Sequence, residues 1–185
     1  VRRWSEGATF ESQIPRLKGM FAPPLPLPEF ARKYPAADVI DLQPVHFRLY
    51  REGSISRQEK DPAASGGIAA SVVGDTNEWA IQADLSRFLE NTESKWHIYA
   101  MARVELKPGA RPTGAGFSGG IYDATNRNFG SNKTIPLKDV AGETYQRVDL
   151  GVQPLNSGVY IWLAPTRNPA VERVYLDRII LIREK

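Results

Sequence analysis

The side chains able to carry chemistry are few in this 185-residue chain and widely spread. It has two histidines, His46 and His97, and no cysteine. The histidines lack the one-turn spacing of a zinc pair. Without cysteine, thiolate metal sites, disulfide frameworks and cysteine nucleophiles are excluded. The stretch Gly116-Phe-Ser-Gly-Gly120 reads as close backbone packing or a bulge rather than a nucleophile elbow. Gly114-Ala-Gly116 lacks the third glycine and the following helix that a dinucleotide loop requires. Glycoside hydrolysis needs two carboxylates at a defined separation. Glu78, Asp84, Glu105, Asp123, Asp149 and Asp177 are available, but their spacing does not pair them. A lyase on a sheet face would draw its base from His97 or Tyr99 and its charge neutraliser from Arg103 or Arg147.

Charge excludes another class. The formal net charge is +3, and its whole excess sits before Tyr34. Arg2, Arg3, Arg16, Lys18, Arg32 and Lys33 there face only Glu6, Glu11 and Glu29. The rest of the chain is neutral, whereas nucleic-acid binding needs a concentrated basic face. The apolar runs are far too short for a membrane helix. No partner of either kind is expected. The chain opens on valine without a leader-like segment, so the expectation is a mature product or a piece of something longer. A cysteine-free composition is compatible with a secreted or periplasmic location.

The elements that must position these residues fall into two parts. Residues 1–37 form an arm. Its segment Thr9–Met20 has helical spacing (Phe10, Ile14, Leu17, then Phe21), with Thr9 or Ser12 as a cap. The run from Ala22 to Glu29 carries proline at near-alternate positions, which favours an extended polyproline conformation. It reads as a stiff connector or the tail of a preceding domain.

From residue 38 to residue 185 the period is two. Strands are expected over Val39–Tyr50, Ile68–Val73, Trp79–Leu85, Trp96–Leu106, Gly116–Asp123, Tyr145–Val152, Val159–Ala164 and Arg173–Ile182. Clusters of Gly, Pro, Asn and Asp separate them. Only Leu85–Asn91 offers a short helical turn. The fold class is therefore all-β: an antiparallel β-sandwich, or jelly roll, with a proline-rich N-terminal arm. Within Trp96–Leu106, one face (Trp96, Ile98, Ala100, Ala102, Val104, Leu106) is a core face. The other carries His97, Tyr99, Met101, Arg103 and Glu105. Near the C-terminus, Val159, Ile161 and Leu163 alternate with Tyr160 and Trp162.

Two stretches carry a resemblance. Asp61-Pro-Ala-Ala-Ser-Gly-Gly-Ile-Ala-Ala70 and Val174-Tyr-Leu-Asp-Arg-Ile-Ile-Leu181 resemble the early "ASGG" segment and the final strand of jelly-roll carbohydrate-binding modules with the galactose-binding-domain-like fold. Glu78-Trp-Ala-Ile and Trp96-His-Ile-Tyr fit between them. The proline-rich arm followed by a jelly roll is similar to the C-terminal part of large bacterial glucuronidase-like glycoside hydrolase proteins. The resemblance implies a non-catalytic module that binds polysaccharide or oligosaccharide, beside a catalytic domain of the same chain. It also implies a structural calcium ion. Asp177 matches the last-strand ligand, and Glu59 and Asp61 are hard-oxygen candidates for the rest.

Sugars are recognised by aromatic faces and by planar amides and guanidinia. The resemblance puts ligand contacts either in edge loops or on a sheet face. The loop set is Trp79, Tyr122, Asn126, Arg127, Asn128, Arg167 and Asn168. The face set is Tyr99, Tyr160 and Trp162 with His97 and Arg103. Each has a plainer role open to it. Trp79 can anchor a strand, Trp162 can pack under the arm, and Asn126 and Asn128 can simply make a turn. Arginines in either set would suit an acidic sugar.

Overall fold

The computed structural model describes residues 25–90 and 93–185. The helical spacing over Thr9–Met20 and the start of the proline run lie outside them. In the described part of the proline run, residues 25–28 are neither helix nor strand, and Pro28 sits at φ −55° and ψ 148°. That is the polyproline conformation its composition favours.

Eleven strands follow among the described residues: β1 (Val39–Leu42), β2 (Phe47–Leu49), β3 (Ser56–Lys60), β4 (Ile68–Val73), β5 (Ile81–Asp84), β6 (Ser94–Leu106), β7 (Ala115–Asp123), β8 (Asn128–Pro136), β9 (Gln146–Leu155), β10 (Val159–Pro165) and β11 (Val171–Arg183). They form two sheets in which the strand pairs are antiparallel. The six-stranded sheet runs β3-β4-β11-β6-β9, with β1 also on β11. The five-stranded sheet runs β2-β5-β10-β7-β8. This is the expected jelly-roll sandwich.

Two differences from the expected strands have physical causes. The single strand expected over Val39–Tyr50 is two. Pro44 starts a 3-10 turn that carries the chain from one sheet to the other, so β1 and β2 sit in different sheets. Strands β3 and β8 carry no apolar alternation because each lies at the edge of its sheet, and β8 is mostly exposed. At the short turn expected from Leu85, the N–H groups of Phe88 and Leu89 both donate to the Leu85 carbonyl.

The core lies between the sheets. Trp96, Ile98, Ala100, Ala102 and Val104 of β6 meet Ile161 and Leu163 of β10 and Phe117 of β7 there. A fully buried side chain of this size contributes about 1.5–3 kcal/mol. The central strand β11 is buried along nearly its whole length. Its inward residues are Val174 and Leu176, then Ile179 and Leu181. The period slips by one because of a β-bulge at Asp177, between the paired residues Leu176 and Arg178. The slip turns Arg178, Ile180 and Ile182 to the outer face. It also falls where β11 changes partner along one edge, from β4 to β1.

The arm covers that outer face. Leu27, Phe30, Ala31 and Tyr34 pack on Ile180, Ile182, Val39 and Tyr99. The buried guanidinium of Arg178 donates to the Pro26 carbonyl (3.1 Å) and to Asp41 Oδ2 (3.2 Å). Residues 25–34 are thus packed against the sandwich as a layer of their own. No helix among the described residues is long and apolar enough to cross a membrane.

Candidate functional site

The alternation in β10 decides where the aromatic residues go. Val159, Ile161 and Leu163 point into the core, so Tyr160 and Trp162 stand on the outer face of the five-stranded sheet. Strand register then brings partners to them. Tyr160 lies directly across from Tyr122 on β7, and Tyr122 across from Phe129 on β8. The three rings form a row, with centroids 5.3 Å apart at each step. Trp162 lies across from Gly120. A Cβ on Gly120 would sit 2.2 Å from the Ser131 carbonyl oxygen and 3.0 Å from Trp162 Cζ2, so only glycine lets the indole approach here.

Trp79 completes the cluster from outside the strands. It belongs to the irregular segment 74–80 before β5. Its ring stacks on Trp162, centroids 4.8 Å apart and planes 11° from parallel. It also contacts Phe129 at 5.2 Å, Tyr122 at 5.5 Å and Tyr160 at 6.3 Å. Trp162 is consequently buried, while Phe129 is 58% exposed. Trp162 packs under Trp79 on one sheet, and the proline-rich arm covers the other.

Beside the rings an open groove of 410 Å³ runs off Tyr160. Arg48, Gln82, Asp84, Ser86, Thr125 and Ser157 line it with Tyr160. Its cationic, anionic, amide and hydroxyl groups are what a sugar's hydroxyls require as donors and acceptors. Burial, together with the neighbouring Tyr122, pushes the Tyr160 phenol above its ordinary range, despite Arg48 nearby. It therefore stays protonated and able to donate.

The other loop residues divide. Asn126 and Arg127 lie in the β7–β8 turn and Asn128 opens β8, at the same end of the sheet as the groove. Asp123 accepts from the Asn126 backbone and side chain and from the Thr125 N–H. These bonds hold its carboxyl below the ordinary range. Arg127 sits at φ +52°, a left-handed conformation rare outside glycine, asparagine and aspartate. Arg167 and Asn168 lie at the opposite end of β10. Asn168 Nδ2 donates to the Thr113 and Ala115 carbonyls, 2.8 Å each, and bridges two loops.

His97, Tyr99 and Arg103 do not share a face with Tyr160 and Trp162. They stand on the outer face of the six-stranded sheet. His97 Nε2 is 2.9 Å from Asp149 Oδ1, and Tyr99 OH is 3.1 Å from His97 Nδ1. Phe30 of the arm packs edge-on against Tyr99, and Arg147 stacks over both rings. Arg103 is six residues along β6 from His97, about 20 Å at strand rise, and its guanidinium is bound elsewhere. His46 accepts from the Gln43 N–H and packs on Phe88, within the turn between β1 and β2. Ser118 lies mid-strand in β7 with its hydroxyl 3.0 Å from that of Thr134, so it is not a nucleophile elbow.

Glu59, Asp61 and Asp177 were the oxygens expected to hold calcium. Asp61 Oδ2 accepts from Arg103 Nε (3.0 Å), an Arg103 terminal nitrogen (2.8 Å) and Tyr145 OH (2.6 Å). Its Oδ1 accepts from the Ala63 N–H. Burial alone would raise this carboxyl, but these bonds outweigh it and hold it low. Asp177 accepts from the backbone and hydroxyl of Ser65, and burial pushes its pKa up. Glu59 pairs with Arg57 at 2.7 Å and accepts from Ser71. The guanidinium of Arg103 stacks on Tyr175 at 3.7 Å and holds the position a cation would need beside Asp61. Among the described residues no group of three His, Cys, Asp or Glu is placed to hold a metal ion. The trio as arranged does not fit calcium.

Phe129, Gln82 and Arg48 escaped the sequence reading. Phe129 sits among turn-forming residues on a polar edge strand, where no pattern marks it. Gln82 was readable: with Ile81 and Ala83 inward, it and Asp84 must face out.

Solved structures with the same architecture can be set beside this geometry. The CBM22-1 xylan-binding domain from Paenibacillus barcinonensis Xyn10C matches with a TM-score of 0.53 at 12% identity, covering 82% of this chain and 99% of that one. A family 35 carbohydrate-binding module from Clostridium thermocellum matches at 0.52 and 10% identity, covering 77% and 96%. A CBM35 from Paenibacillus barcinonensis matches at 0.51 and 13% identity, covering 79% and 98%. The chain has the jelly-roll fold of these modules. No family model matches the chain, and no curated protein matches it. At these identities the likeness concerns the fold.

Proposed function

We propose that this chain is a non-catalytic carbohydrate-binding module, accessory to a catalytic domain of a larger secreted protein. The observation that carries the reading is the aromatic cluster on the outer face of the five-stranded sheet, continuous with a groove of mixed polar lining. Pyranose rings present C–H surfaces that stack on aromatic faces, and their hydroxyls bond to side chains at the rim. The row Tyr160, Tyr122 and Phe129 supplies the first. Arg48, Gln82, Asp84 and the groove hydroxyls supply the second. The opposing pair of charges in the groove suits hydroxyl pairs, with Arg48 donating and Asp84 accepting. Three other carboxylates serve the fold: Asp123 makes a turn, Asp149 accepts from Gly151 N–H, and Glu105 accepts from Tyr175 OH. That distribution supports binding rather than turnover.

A glycan array and affinity electrophoresis on the chain test this, using wild type and Tyr160→Ala. Retention by a glycan is expected, weakened about tenfold in the variant, the scale of one lost stacking contact. Chelator is expected to leave retention unchanged, because the rings lie on the sheet away from Asp61 and Asp177. Failure of every glycan, neutral or acidic, would overturn the reading and make the aromatic face a contact for a neighbouring domain. Release of product from a retained glycan would make the chain an enzyme instead.

A further inference from the structure

Two features of the aromatic cluster are not explained by a fixed platform. Trp162 is 4% exposed although it stands on an outer sheet face. Its Nε1–H has no hydrogen-bond partner among the described residues. A buried N–H left without a partner is costly, and such groups are rare in folded proteins. The ring stacked over Trp162 is that of Trp79. It comes from irregular chain, whereas Trp162, Tyr160, Tyr122 and Phe129 are all fixed on paired strands. Near Trp79 the backbone is held locally: Glu78 N–H donates to Thr76 Oγ1, Ala80 N–H to the Glu78 carbonyl, and Gln82 Nε2 to the Trp79 carbonyl. Nothing in those bonds fixes the indole, whose contacts to the cluster are ring against ring.

The geometry points to Trp79 as a displaceable cover over a further sugar subsite whose floor is Trp162. The inference rests on the carbohydrate-binding reading and specifies how that site is completed. With the rings 4.8 Å apart and nearly parallel, no sugar fits between them. A pyranose therefore takes the place of Trp79 on Trp162 rather than joining it. The uncovered floor would be flat, since Gly120 lets Trp162 lie against the sheet. It would be continuous with Tyr160 and Tyr122 towards the groove. A flat indole selects a ring that presents an unbroken C–H face. The ligand class is thus a linear chain of pyranoses with equatorial hydroxyls. The buried N–H gains access to a hydroxyl or to water only when the cover lifts, which accounts for its lack of a partner in the closed form.

Two measurements test this. The first is binding of xylohexaose and of cellohexaose by calorimetry to wild type, Trp79→Ala, Trp162→Ala and Tyr160→Ala. Trp79→Ala is expected to bind about fivefold more tightly, the equivalent of about 1 kcal/mol of stacking that the ligand need no longer break. Trp162→Ala is expected to lose binding. If Trp79→Ala loses binding as Trp162→Ala and Tyr160→Ala do, the glycan reading stands and Trp79 is a fixed platform, not a cover. If wild type and Trp79→Ala both fail across the glycan array as well, both readings fall together. The second measurement needs no ligand and no variant. Hydrogen exchange at Trp162 Nε1–H in the wild type is expected to be much faster than at the β10 amides, through local opening of residues 74–80. Exchange as slow as global unfolding would overturn the cover.

Discussion

The two sheets carry similar sequence signatures on their outer faces and use them in different ways. On β6, outward Tyr99 and Arg103 alternate with core residues. On β10, outward Tyr160 and Trp162 do the same. The six-stranded sheet commits its outward residues to the fold: Tyr99 lies beneath Phe30 of the arm, and Arg103 is locked between Asp61, Tyr145 and Tyr175. The five-stranded sheet gathers its aromatic residues with one another, leaving Phe129 well exposed and a groove open beside Tyr160. Alternation therefore says which way a side chain points, and the layer above it decides whether that side chain can meet a ligand.

If the faces are divided in this way, changes on the six-stranded side should cost stability and leave glycan retention intact. The largest expected effect is at Arg103. Its removal leaves the buried Asp61 carboxylate without its charge partner, and breaking a buried pair of this kind costs about 3–5 kcal/mol. Arg103→Ala should lower the urea midpoint by a matching amount, and a loss under about 0.5 kcal/mol would remove the structural role given to the network. A smaller loss, about 2 kcal/mol, is expected for Phe30→Ala, since the ring is only partly buried and a fully buried one costs more. Faster amide exchange confined to residues 25–42 would accompany it. An unchanged arm would show that Arg178, not Phe30, holds that layer.

The smallest effect is one of pH. Asp61 is held below the ordinary aspartate value of 3.8, so the folded state favours its charged form. That contribution is fully present above the unfolded value and is lost as pH falls through the folded one. Asp177 is shifted the other way by burial. Its contribution is present below the unfolded value and is lost as pH rises through the folded one. On acidification Asp177 therefore takes up its proton first, and Asp61 yields only below 3.8. The stability gap between wild type and Asp61→Asn should narrow as pH drops below that point. A gap constant down to the acid transition would show that Asp61 is not held low.

The amino-acid sequence by itself determined the all-β class, the sheet faces of β6 and β10, and the outward direction of Tyr160 and Trp162. Those follow from the two-residue period of a strand, which is local. Strands β3 and β8 were not legible, because edge strands can be polar without cost and lose the alternation that marks a core face. The bulge at Asp177 was hidden for a related reason: a one-residue slip in a strand buried on both faces leaves the apolar run unbroken. What only the tertiary structure decided is which outward residues meet. Trp79 stacks on Trp162 across more than eighty positions of chain, and Phe129 joins them through β-pairing that its own segment does not announce. Asp61, which the resemblance offered with Glu59 and Asp177 as a calcium ligand, is bound by Arg103 and Tyr145 from distant parts of the chain. Contacts of this kind depend on strand order and register, and these are properties of the whole sandwich rather than of any window of residues.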